Sequence, residues 1–224
     1  MLEHAKPAPA LSWLDDALAR FAADNDALAP RTRALLDSIV AEPKRHARMI
    51  NTLSLLEHMG SHKIMATQHS SAIDQATLKH VAEEAHHAFF MKRQAEKTAE
   101  RALEYVAGDL LAPSSARMYF QRLEGTTVRA LGEARDARAA YLYMSMIVEF
   151  RALWFYGLYE QALKRAQHAL SLKRVLGEEQ AHLGDMAERL EAGNELDDAR
   201  AAQILAAEHK LYSRLLGALE RATA

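Results

Sequence analysis

Apolar residues recur along most of this chain at the three-and-four spacing of one helix face, and the period-two alternation of half-buried strands is missing. The spacing predicts an amphipathic helix over 11–23 and a second over 30–41, where Pro30 suits a first helical turn. A long helix is expected over 43–69, and another, capped by Asp74, from there to 106 or 107. Residues 108–136 open with GDLLAPSS and carry a shorter helical stretch with Gly125 and Gly132 near its end. Two more long helices follow, over 136–167 and 170–190. EAGNELDD then breaks the pattern: Gly193 suits a helix C-terminus, and Asn194 or Asp197 can cap a last helix over 198–220.

The expected fold class is therefore all-α. Four of the helices are long enough to share a core, and the connection between the second and third of them is about 30 residues, long enough to run the length of a four-helix bundle. No linker-like or low-complexity stretch divides the chain. Residues 1–224 read as one helical domain with a four-helix core over 43–192, two extra N-terminal helices and a C-terminal helix.

The apolar faces of those four helices carry misplaced charge. VAEEAHHAFF at 81–90 and LGEEQAHLGDM at 176–186 each contain Glu-x-x-His. The Glu and His content alone yields about one such pair by chance, so placement decides. Glu84 and His87 share a face with Thr77, Val81, Ala88, Met91 and Ala95, which should point inward, whereas Glu83 and His86 fall with Lys79, Arg93 and Lys97 on a solvent face. Glu179 and His182 lie with Val175, Leu176, Leu183 and Met186, while Glu178 sits with Arg174, Asp185 and Glu188. Each motif is preceded by a lone inward Glu: Glu57, aligned with Ile50, Leu53, Gly60 and Ile64, and Glu149, aligned with Leu142, Met146, Leu153 and Tyr156. The spacings are 27 and 30 residues, so a helical hairpin with one inward Glu and one inward Glu-x-x-His occurs twice.

Burying an unpaired carboxylate costs several kcal/mol before its pKa moves. Two divalent cations would balance four inward Glu, and bridging carboxylates would hold them about 3.5–4 Å apart. Glu and His at i and i+3 project from one helix face and can reach one metal.

With these residues the chain resembles the ferritin-like di-iron carboxylate superfamily, whose ligands are one Glu from each of two helices and one Glu-x-x-His from each of the other two. The resemblance covers residues 43–192 and implies a ferritin-like four-helix bundle whose metal ligands are Glu57, Glu84, His87, Glu149, Glu179 and His182. Glu84 and Glu179 would terminate or bridge, Glu57 and Glu149 would complete the set, and each His would bind one metal. The implied cofactor is a pair of iron ions, with manganese as the alternative that ligand type does not separate.

Composition narrows the remaining choices. The chain has no Cys, so thiolate chemistry, disulfides and cysteine-based zinc sites are excluded. A net charge of −2 argues against nucleic acid as the main partner. The absence of a signal-like N-terminal stretch, and of any run near the ~18 apolar residues of a membrane span, gives a cytoplasmic, non-membrane setting as the expectation. The leading functional expectation is an O2-activating oxidase or oxygenase acting on a small organic substrate, with a separate electron donor and a homodimer as the oligomer considered. The alternatives are an iron-handling protein (ferroxidase, storage or peroxide-scavenging) and a metal-free helical interaction module.

Secondary readings attach to single residues. Tyr156, on the Glu149 face, is a candidate hydrogen bonder to the ligands or redox-active phenol. Glu57 is expected to have room to shift, because Gly60 and Ser61 lie one turn on. His58, His62 and His69 read as a partly exposed helix flank, and Glu160 as a partner for Lys164 or Arg165.

Overall fold

A computed structural model describes residues 9–67, 73–132 and 137–224, with the side chains of 9–11 left aside. Among the described residues there are eight α-helices and no strand. They are α1 (Pro9–Asp24), α2 (Ala29–Val40), α3 (Pro43–Thr67), α4 (Gln75–Ala99), α5 (Pro113–Leu131), α6 (Ala137–Arg165), α7 (Lys173–Ala192) and α8 (Asp198–Thr223). The expected helix end at His69 and start at Asp136 lie outside the described residues. None of the described helices is long and apolar enough to cross a membrane.

Caps mark several boundaries. The Asp74 carboxylate accepts from the Thr77 amide at 2.7 Å, and Asp197 accepts from Arg200 at 3.0 Å, satisfying first-turn donors of α4 and α8. Glu160 of α6 accepts from the Leu172 amide just before α7 at 2.7 Å, in addition to facing Lys164. α5 ends at Gly132, whose φ of +70° favours glycine.

One boundary departs from the periodicity. The helix expected to reach 106 stops at Ala99, where Glu100 turns left-handed at φ +54°. The reason lies on α3. Asn51 is fully buried and needs acceptors, and its amide nitrogen donates to the carbonyls of Glu104 and Asp109, each at 3.0 Å. The Asp109 carboxylate in turn takes the Glu104 amide and Arg101. A continued helix would remove these partners and leave a buried amide unsatisfied.

α3 packs most extensively on α4, and α6 on α7; α3 also meets α6, and α4 meets α7. Arg189 near the end of α7 donates to Asp74 and Thr77 at the start of α4, so those two helices run antiparallel. α5 links the two hairpins and lies against α8, α6 and α3. α2 covers α6, α1 covers α7, and both are pinned to α8: Trp13 and Arg20 donate to Asp198, and Arg31 to Glu220. α6 is consequently buried nearly all round, from Tyr141 to Leu163, as a central helix must be. One continuous apolar cluster joins all eight helices.

A histidine inside this core makes stability depend on pH. His46 of α3 is buried, shares a 2.5 Å hydrogen bond with the Tyr159 hydroxyl and stacks edge-on with His168. Burial, helped by His168, lowers its pKa to about 4. The unfolded chain binds this proton near pH 6.5, so the contribution is complete above that value and is lost as pH falls toward 4. Between pH 7 and 5 His46 should cost on the order of 2 kcal/mol. Urea unfolding at the two pH values should accordingly show a smaller loss in His46→Gln than in the unsubstituted protein; equal losses would rule His46 out as the source.

Candidate metal centre

The six residues expected to face inward converge between α3, α4, α6 and α7, and a seventh joins them. α4 contributes His80, Glu84 and His87, at steps of four and three on one face; α7 contributes Glu179 and His182; α3 gives Glu57 and α6 gives Glu149. None is more than 9% exposed. They fall into two groups whose ligand atoms lie within 4.8 Å of one another: Glu57, Glu84, His87 and Glu179, and His80, Glu84, Glu149 and His182. Glu84 belongs to both, and its Oε1 lies 3.4 Å from His80, 3.7 Å from His182 and 3.9 Å from His87. Glu179 also spans them, with one oxygen 3.2 Å from His87 and the other 3.0 Å from His182.

Three inward atoms, His80 Nε2, Glu84 Oε1 and His87 Nδ1, are buried with no hydrogen-bond partner. Each such orphan costs about 1–3 kcal/mol, and here all three belong to one cluster. The remaining polar atoms of the set are directed by neighbours. His80 Nδ1 bonds the Tyr141 hydroxyl at 2.8 Å. His87 Nε2 bonds Glu178 of α7 at 2.8 Å, and His182 Nε2 bonds Glu83 of α4 at 3.0 Å. The outer Glu of each Glu-Glu-x-x-His motif therefore holds the imidazole of the other motif and aims its free nitrogen inward. Tyr156 donates its hydroxyl to Glu57.

Electrostatics record the same crowding. Burial alone would lower the three imidazoles, but the carboxylates around them outweigh it and raise His80 to about 9, His87 to about 10 and His182 to about 12. Burial and neighbouring carboxylates push Glu57 up to about 7 and Glu84 well above the usual range, and burial also raises Glu179. For Glu149 burial acts upward too, yet contacts with His182 and His80 prevail and bring it down to about 2.

The donor set thus fits metal: carboxylate oxygens and imidazole nitrogens, no sulfur, orphaned atoms facing inward and four carboxylates in need of positive charge. These groups could hold a metal ion. No match to the chain was found among protein-family models, curated proteins or solved structures, so the residues themselves carry the functional argument.

His80 is the member that motif reading passed over, although it precedes Glu84 by four residues and His87 by seven on the same helix face. Its counterpart on α7, four residues before Glu179, is Val175. The hairpin repeat is therefore broken at this position, and one group has two imidazoles where the other has one. Glu83 and Glu178 have the phase of solvent residues; their side chains are about one-quarter exposed and also bond Lys79 and Arg174, so they sit at the rim and serve both sides. His58, His62 and His86 are exposed and apart from the cluster, and His69 lies outside the described residues. Tyr156 holds Glu57, and the space left by Gly60 adjoins Glu84: a Cβ there would stand 3.2 Å from Glu84 Oε2.

Two cavities flank the cluster. One of about 100 Å³ touches Glu57, Glu84 and Glu149 from the side of α5 and α8. Another of about 90 Å³ touches His80, Glu84 and Glu149 and reaches the Lys63–Glu124 ion pair near the surface.

If Glu83 and Glu178 orient ligands, Glu83→Gln and Glu178→Gln should each weaken transition-metal affinity about 10–100-fold with helix content unchanged. Exposed Glu188→Gln is the control and should be neutral. Chelator competition measures this; affinities equal to the control would deny both residues that role.

Proposed function

We propose that this chain is a ferritin-like di-iron carboxylate protein, an oxidase or oxygenase that uses O2 on a small organic substrate. The observation that carries the reading is the buried pair of ligand groups sharing Glu84, with orphaned imidazole and carboxylate atoms turned to a common centre. In the reading, Glu57, Glu84, His87 and Glu179 would hold one iron and His80, Glu84, Glu149 and His182 the other, with Glu84 common to both groups. When bound, such a pair supplies the capacity to bind and reduce O2.

The protein's own groups do the rest. Glu83, Glu178 and Tyr141 keep the imidazoles in place, and Tyr156 keeps Glu57 oriented through its hydroxyl, whose proton burial and Glu57 make hard to remove. The apolar-walled cavity against Glu57, Glu84 and Glu149 offers room for a small organic molecule, which supports an enzyme over an iron store. Repeated turnover draws electrons from a separate donor.

Anaerobic addition of ferrous ion, followed by air, tests the reading by optical absorption. Saturation at about two irons per chain and a charge-transfer band typical of oxo-bridged ferric pairs are expected. Failure to take up iron or manganese would end it, and uptake far beyond two per chain in a large hollow assembly would transfer it to storage.

A further inference from the structure

The two ligand groups are not copies of each other. Glu84 belongs to both, and Glu179 reaches an imidazole of each, so these two residues do not tell the groups apart. What remains on one side is a carboxylate and one imidazole, Glu57 and His87. What remains on the other is a carboxylate and two imidazoles, Glu149 with His80 and His182. His80 makes the difference. It has no place in the six-residue set that the resemblance implies, and the matching position on α7 is Val175.

His80 is placed as a ligand. It is 5% exposed, its Nδ1 is taken by the Tyr141 hydroxyl, and its Nε2 has no hydrogen-bond partner. Nε2 lies 3.4 Å from Glu84 Oε1 and 3.5 Å from Glu149 Oε1, and His182 Nδ1 lies 3.7 Å from each of the same two oxygens. Four donors held tetrahedrally at about 2.1 Å from one ion stand about 3.4 Å apart, so these separations are close to the edges of a small four-coordinate site. The other group is looser. His87 Nδ1 is 3.2 Å from Glu179 Oε1 but 3.9 Å from Glu84 Oε1, and Glu57 Oε1 is engaged by the Tyr156 hydroxyl.

Donor type and spacing point the same way. Imidazole nitrogen suits the later divalent ions of the first transition row, such as iron and zinc, whereas carboxylate oxygen suits manganese. We propose that the two groups select different ions: the His80 group takes the later metal, the Glu57 group is the one that admits manganese, and His80 sets the difference. This selectivity presupposes the two-metal reading and goes beyond a pair of like ions. With iron as the sole metal offered both groups take it, and the sorting emerges when two metals compete.

Metal-free protein given about one equivalent each of zinc and manganese, then freed of unbound ions, tests the sorting by electron paramagnetic resonance. Sorted loading leaves each chain with one isolated manganese ion and an uncoupled six-line spectrum. Random loading also produces chains with two manganese ions about 3.5–4 Å apart, whose spins couple. Anomalous maps at the two absorption edges assign the ions: about tenfold more zinc than manganese is expected in the His80 group, and the reverse beside Glu57. His80→Gln exchanges the imidazole for an amide of similar reach. Uptake should stay near two ions per chain, and the distribution should become nearly even. In the unsubstituted protein, metals spread evenly over both groups, or manganese favouring the His80 group, would overturn the proposal even if the variant did not fold. Unchanged sorting in folded His80→Gln would remove His80 as its cause. Two bound ions without sorting would end the selectivity alone, whereas no bound metal would end the two-metal reading with it.

Discussion

Seven acid and imidazole side chains share one water-poor space between four helices, and much of the surrounding structure answers to that constraint. An isolated carboxylate cannot remain charged there, and four cannot without positive charge among them. The titrations carry the mark of this crowding: His80, His87, His182, Glu57, Glu84 and Glu179 are displaced upward and Glu149 downward. Three polar atoms still lack partners. Cations at the two ligand groups would satisfy charge and orphans together, which is why the geometry favours a metal centre over a neutral polar core.

The scaffold separates this centre from a second buried charge system. α6 carries Glu149 toward α3, α4 and α7, and two residues later Arg151 toward α8, where Glu208 receives it. Such an ion pair is weak evidence for added stability, since desolvation offsets much of its attraction. Its value is positional. Asn25, Tyr212 and Phe21 gather on Arg151 and Tyr119 donates to Glu208, so the segment after α1 and helices α5, α6 and α8 meet at one point. Residues of both charge systems line the cavity, and α5 and α8 supply part of its wall.

Much of this was legible in the chain because helices announce themselves by spacing. The inward phase of Glu57, Glu84, Glu149 and Glu179 was readable from their apolar neighbours, as were the caps at Asp74 and Asp197. His80 was readable in principle at i−4 from Glu84, but it stands outside the Glu-x-x-His pattern and has no equivalent on α7. The end of α4 was not readable, because it is dictated by Asn51, 49 positions before Glu100. Glu83 and Glu178 defeat a two-face description of a helix: each has the phase of a solvent residue, yet from the rim each reaches an imidazole on the opposing helix. The Arg151–Glu208 pair joins residues 57 apart, and no local pattern pairs them. Likewise Gly60 is a neighbour of Glu57 in sequence but of Glu84 in space.

The most direct measurement is anomalous diffraction at the iron edge from crystals of the protein loaded with ferrous ion. Two peaks are expected, one enclosed by Glu57, Glu84, His87 and Glu179 and the other by His80, Glu84, Glu149 and His182, with Glu84 between them. A map with no peak among these seven side chains, or with iron only at surface residues, would contradict the assignment of this cluster as a metal centre.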